Sequence, residues 1–130
     1  MSALREEVRL AGRPVFSHAA DAVRCDRLLF VAGVLPADAD GRLVGGEDVV
    51  AQTRHVIDEL GAILAAGGCA GTDLVKLNVY LTDIAELPLV RTLPAEVLGA
   101  ARTAATVVEV PRLAVPGARV EVDAVALVPR

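Results

Sequence analysis

Two carboxylates near the C-terminus stand closest to useful chemistry. Glu121 and Asp123 lie two positions apart in the stretch Arg119-Val120-Glu121-Val122-Asp123-Ala124-Val125-Ala126-Leu127, and on a β-strand that spacing puts both side chains on one face. Carboxylates so close discourage each other's ionisation, which offers an acid or base for proton transfer. On the residues alone, the plainer reading has both solvated, or paired with Arg119 or Lys76. His18 beside a strand could face a cleft as a proton carrier, yet an isolated histidine there is more often packed or on the surface. His55 carries less signal still. Cys25 and Cys69 form no metal-type spacing with these histidines, so no metal is expected and both cysteines read as small free thiols in a reducing compartment.

Length and composition narrow what such groups can serve. A chain of 130 residues builds one core rather than two, so a single domain over residues 1–130 is expected. Hydrophobic residues make up 54% of it, carried by Ala, Val and Leu rather than by aromatics. With a mean hydropathy of +0.51, that is more apolar surface than one small core hides, which points towards subunit association. No apolar run approaches the roughly 18 residues of a membrane-spanning helix. Glu6 and Glu7 stand where a secretory signal would carry its apolar segment, so a cytoplasmic location is the expectation. The net charge is -4 and the 13 basic residues are scattered singly, leaving no stripe to neutralise a phosphate backbone. With one Tyr, two Phe and no Trp, stacking on bases is also poorly provided for, and nucleic acid is not an expected partner.

The elements that must position these groups follow from periodicity. Residues 6–10 and 17–23 read as short strands, and Arg27 to Val34 is a continuous apolar run of strand length ahead of Pro36, as for a buried central strand. Ala37 to Arg42 is a turn rich in Asp and Gly. From Asp48 to Ala66, Val49, Thr53, Val56, Ile57, Leu60, Ile63 and Leu64 recur at helical spacing and leave Gln52, Arg54, Asp58 and Glu59 outward, predicting a long amphipathic helix that stops at Gly67-Gly68. Leu74 to Leu81 alternates, with Val75, Leu77, Val79 and Leu81 against Lys76, Asn78 and Tyr80, and predicts a strand. A shorter helix is expected over 85–99, its start restricted by Pro88 and Pro94. Thr106–Val110 and Arg119–Leu127 complete the strands. Helices that connect parallel strands by right-handed crossovers fall on one side of the sheet, leaving the other face for neighbouring subunits.

Several strings along this order are specific. They are Phe16-Ser17-His18-Ala19, Phe30-Val31-Ala32-Gly33-Val34-Leu35-Pro36, Gln52-Thr53-Arg54, Leu74 through Asp83, Val108-Glu109-Val110-Pro111-Arg112-Leu113 and Gly117 through Ala126. In this sequence and spacing they resemble the RidA/YjgF/YER057c family over nearly the whole chain. The resemblance implies a chorismate-mutase-like α+β fold, a mixed six-stranded sheet with two helices packed on one face, assembled as a homotrimer with clefts between neighbouring subunits. It also implies cofactor-free hydrolysis of reactive enamines and imines, with release of ammonia and a keto acid. Such chemistry needs a cationic clamp for the substrate carboxylate and an acid or base beside the attacking water.

The clamp is where this chain departs from the family. The family carries an arginine just before the second-last strand, and here Ala105 fills that place, followed by Thr106 and Val107. Losing a guanidinium forfeits about 1.5–3 kcal/mol per charge-assisted hydrogen bond. Phe16 stands where tyrosine is frequent, Ala32 where serine is, Val34 where glutamine is, and Arg91 where asparagine is. At the first three of these positions a polar group has become hydrocarbon, so a larger or less polar ligand is expected. Glu121 matches the family's last-strand glutamate, credited with positioning or activating water. Arg91 and Arg102 are the candidates to supply the missing positive charge.

Three readings follow. The first is an altered RidA-like enzyme acting on a specialised enamine, imine or related carbonyl compound by hydrolysis, dehydration or tautomerisation, with Glu121 as acid or base. The second is a non-catalytic trimer that binds a small metabolite at its subunit interfaces. The third is a standard 2-iminobutanoate/2-iminopropanoate deaminase in which another arginine replaces the clamp. The ribonuclease activity sometimes attached to the family name is disfavoured by the acidic balance.

Overall fold

The computed structural model describes residues 4–13, 19–99 and 102–130. In chain order the elements are β1 (Arg5–Val8), β2 (Ala22–Cys25), β3 (Leu28–Val34), α1 (Val49–Ala66), β4 (Leu74–Leu81), α2 (Leu87–Val90), α3 (Leu93–Leu98), β5 (Ala104–Glu109) and β6 (Val120–Leu127). The strands form one six-stranded sheet in the order β1-β2-β3-β6-β4-β5. β4 and β5 run parallel, joined by the crossover that carries α2 and α3. The remaining pairs are antiparallel. β6, last in sequence, slots between β3 and β4, so the residues that end the chain lie at the centre of the sheet.

Alternation decides which face is the core. Val120, Val122, Ala124 and Ala126 of β6 are buried against Val56, Ile57, Leu60, Ile63 and Leu64 of α1, where each large aliphatic side chain contributes about 1.5–3 kcal/mol of transfer free energy. The intervening residues of β6 point away from the helices. On that far face Leu28, Phe30, Val108 and Leu127 are exposed in the single chain, the uncovered sheet surface expected from the order of elements.

Helix α1 starts where the sequence predicts, because the Asp48 side chain accepts hydrogen bonds from the backbone amides of Val50 and Ala51. It ends at Gly67, and Gly68 takes a positive φ of 84°, a conformation glycine adopts without steric cost. Gln52, expected to point outward, is instead fully buried on α1, where its side chain donates to the carbonyls of Gly46 (2.7 Å) and Gly117 (3.1 Å) and accepts from the amide of Arg119 (2.7 Å). This one side chain ties the helix to the turn that launches β6.

Two expectations are corrected. The second helix is not continuous over 85–99: a single 3-10 turn at Ile84–Glu86 leads into two short pieces, each with proline in its first turn, because a proline ring cannot follow an established turn. The N-terminal strands lie at Arg5–Val8 and Ala22–Cys25 rather than at 6–10 and 17–23, and residues 17 and 18 of the second expected strand lie outside the described residues. Among the described residues, no helix is long and apolar enough to cross a membrane.

Candidate functional site

The site begins with an irregularity in β3. Val31 pairs with Ala124 and Val34 with Val122, so Ala32 and Gly33 together stand opposite the single residue Asp123. A bulge of this kind re-aims side chains and opens the sheet surface locally. The Glu121 carboxylate lies directly over Gly33, and a side-chain carbon at Gly33 would run into that carboxylate. Arg13, Asp21, Ala32, Gly33, Ala114 and Glu121 line a cleft of about 200 Å³ here. Burial of Glu121, and next the nearby negative charge of Asp123, push its carboxyl above the usual value of 4.5. The effect of Asp123 on Glu121 expected from their spacing is therefore present, with desolvation the larger cause.

Asp123 is held by its strand neighbours rather than by a cation. Asn78 Nδ2 and the Tyr80 hydroxyl each donate to its carboxylate at 2.7 Å. The hydrogen bond to Asp123 is in turn the main cause that raises the Tyr80 phenol above its ordinary value. The two cations considered as partners are engaged elsewhere: Lys76 Nζ donates to Thr106 Oγ1 at 2.7 Å and Arg119 Nη1 meets Glu86 Oε1 at 3.1 Å.

Arg13 is the cleft residue that sequence reasoning missed. Its side chain is only 5% exposed, its Nε donates to Asp21 Oδ1 at 3.0 Å, and its Nη1 pairs with Glu59 of α1. Glu59 Oε1 also lies 3.7 Å from His55 Nε2, which is 3.1 Å from the carbonyl oxygen of Ala37. His55 thus belongs to the framework behind the cleft wall. No local pattern around Arg13 announces this role, since Glu59 comes from a distant segment of the chain.

The residues around the expected clamp position assemble elsewhere. Ala105 and Val107 of β5 face α1 and line a cavity of about 90 Å³ together with Thr53, Val90, Arg91 and Val122. Ala105 pairs with Leu77, which pairs with Ala124, whereas Glu121 pairs with Tyr80, which pairs with Val108. Partners across a sheet share a face, so Ala105 and Glu121 project from opposite faces of the same chain.

The expected site residues therefore divide. Ala32 joins Glu121; Arg91, Ala105 and Val107 share the second cavity; Thr106 points to the far face with Lys76. Arg102 is exposed and is not among the residues lining either space. Val34 is fully buried in the core and is not a cleft residue in this chain, because the bulge before it turns its side chain inward. Phe16 and His18 lie outside the described residues. Cys25 is exposed and Cys69 buried, both free thiols. Burial, then Asp73, raise the Cys69 thiol above its ordinary value, away from nucleophilic thiolate.

Comparison with known proteins agrees with this architecture. The sequence model described as Endoribonuclease L-PSP matches residues 9–128. The chain is 33% identical over 105 residues to 3-aminoacrylate deaminase RutC of Acinetobacter baylyi, covering 81% of this chain and 82% of that one. It is 36% identical over 110 residues to the 2-iminobutanoate/2-iminopropanoate deaminase of Capra hircus, covering 82% and 77%. Among solved structures, RidA from the Antarctic bacterium Psychrobacter sp. PAMC 21119 superposes with a TM-score of 0.84 at 25% identity, covering 94% of this chain and 98% of that chain.

Proposed function

Because the chain belongs to the RidA/YjgF family, whose sequence model carries the description Endoribonuclease L-PSP, we propose that it hydrolyses a specialised enamine or imine with Glu121 as the proton-transfer group. The observation that carries this reading is the Glu121 carboxyl lying over the Gly33 bulge in a cleft, with its ionisation held above the ordinary carboxylate range. A carboxylate there accepts a proton from water as the oxygen bonds to the C=N carbon. Returning that proton to nitrogen gives a carbinolamine, and moving the second water proton from its hydroxyl to the nitrogen then breaks the C–N bond, releasing ammonia and leaving a carbonyl group.

A working site draws on both faces of the sheet. Glu121 from one copy and the cavity carrying Ala105 and Arg91 from a neighbour meet across the interface of a homotrimer, which would also cover Leu28, Phe30 and Leu127. Two relatives with deaminase names support the reaction class. Their substrates pass to this chain only as the class of small enamines and imines.

A second reading, hydrolysis of 2-imino acids with a substitute arginine, is favoured by one observation: Arg91 lines the same cavity as Ala105. Arg91→Ala then raises KM for a freshly generated 2-imino acid, whereas Arg102→Ala leaves it unchanged. The main proposal is tested by Glu121→Gln: turnover of generated enamines and imines falls by about a hundredfold or more, with the oligomer intact. Unchanged turnover removes Glu121 from the mechanism, and a ligand bound tightly but recovered intact makes the protein a binder instead of an enzyme.

A further inference from the structure

The 90 Å³ cavity behind Ala105 contains an unusual polar group. Thr53 is 3% exposed, and its hydroxyl has no hydrogen-bond partner among the described residues. Helical threonines commonly return their hydroxyl to a carbonyl in the preceding turn, and a buried hydroxyl left unpaired costs stability that valine would not. Thr53 and Arg91 supply the polar side chains of a lining that is otherwise hydrocarbon, with Val90, Val107 and Val122 among its walls. A water lodged against Thr53 would find few further partners. Arg91 and Ala105 are exposed while Thr53, Val90 and Val122 are buried, so the cation sits at the mouth and the hydroxyl at the floor. Among the described residues the Arg91 guanidinium has no ion-pair partner within reach.

We infer that this cavity is a tail subsite: it takes a chain of about four carbons carrying one hydrogen-bond acceptor, on a ligand whose anionic head is held by Arg91. The size follows by proportion, since a dry cavity of about 150 Å³ admits benzene and this one is about three-fifths as large. The acceptor follows from Thr53, whose O–H is free to donate inwards. Ala105 makes the subsite accessible, because any longer side chain at that position would extend into the mouth. The inference deepens the proposal that these clefts bind small enamines or imines, and rests on it for the identity of the reacting group alone.

Two carboxylates of nearly the same shape provide the test. Levulinate carries a ketone where isocaproate carries a branched hydrocarbon, so titration of the intact protein by calorimetry or NMR isolates the acceptor. Levulinate is expected to bind about five- to tenfold more tightly, the worth of one net hydrogen bond. Thr53→Val is expected to abolish that preference while keeping isocaproate affinity and the fold, read from the melting curve. Ala105→Leu is expected to weaken both acids and leave acetate unaffected, and hydrocinnamate, whose ring exceeds the space, is expected not to compete. Equal binding of the two acids, a preference that survives Thr53→Val, or no binding of either overturns the subsite. The two proposals fail separately: a lost preference with Glu121-dependent turnover removes only the subsite, while turnover indifferent to Glu121→Gln with the preference intact removes only the hydrolytic mechanism.

Discussion

Glu121 and Gly33 occupy adjoining strands so closely that the carboxylate of one rests where the other would carry its side chain. The obstructing atoms are the far end of a flexible side chain, and Gly33 does not adopt a positive φ. Alanine therefore suits the backbone there and displaces the carboxylate rather than the strand. Gly33→Ala is expected to change the melting temperature by only a few degrees, consistent with about 1 kcal/mol or less, yet to lower turnover as severely as removing the Glu121 charge. A large loss of stability would mean that Glu121 cannot move aside.

The raised Glu121 carboxyl makes stability depend on pH in a direction opposite to that of a salt-bridged acid. The folded protein holds this proton more firmly than the unfolded chain, whose carboxyl titrates near the ordinary 4.5. Its stabilising contribution is complete below that value and is lost as pH rises through the folded-state value. Glu121→Gln, which cannot ionise, is expected to gain on the wild type as pH rises from about 4 to about 8. Paired thermal melts check this, and a gap that is constant across the range contradicts the assignment.

Tyr80 is the only tyrosine and the chain lacks tryptophan, so its ionisation can be followed by ultraviolet absorbance without interference. The hydrogen bond it donates to Asp123 holds the phenol above its usual value of 10.0. Asp123→Asn is expected to bring the alkaline absorbance transition back towards that value. A transition unmoved by the substitution would show that the hydrogen bond does not persist in solution.

Gln52 satisfies the backbones of Gly46, Gly117 and Arg119 from inside the core. Gln52→Leu fills the same volume but strands those three groups, at about 1–3 kcal/mol for each that water cannot reach. Chemical denaturation is expected to register a loss of several kcal/mol. Because the bond to Arg119 anchors the start of β6, residual folded protein is also expected to turn over more slowly, through Glu121.

Helix α1 and strands β4 and β6 are legible in the sequence because each carries its own period: Val56, Ile57, Leu60, Ile63 and Leu64 on the helix, and alternation along β6 and along β4 from Leu77 to Leu81, whereas Val75, expected on the face of Leu77, is exposed because the register shifts between Leu74 and Lys76. The short β1, with Arg5, Glu6 and Glu7 before Val8, has no such period and is defined by its pairing to β2. The site was legible only in part. Glu121 and Asp123 share a face as their spacing dictates, but the approach of Asn78 and Tyr80 to Asp123 depends on β6 inserting beside β4, a pairing across 45 and 43 residues of chain. Val34 is expected in the cleft from the family resemblance, and the sequence does not reveal the bulge that turns it inward. Arg13 was overlooked because Asp21 and Glu59, which bury its charge, give no hint of each other in the sequence.

The projection of Ala105 and Glu121 from opposite sides of one sheet has a genetic consequence. Defects in the two halves should complement: subunits carrying Glu121→Gln, impaired in turnover, and subunits carrying Arg91→Ala, impaired in KM, would regain activity when unfolded together and reassembled. In the proposed trimer, mixed rings would contain some junctions where an intact half from one parent meets an intact half from the other. Alleles that fail apart would succeed in company.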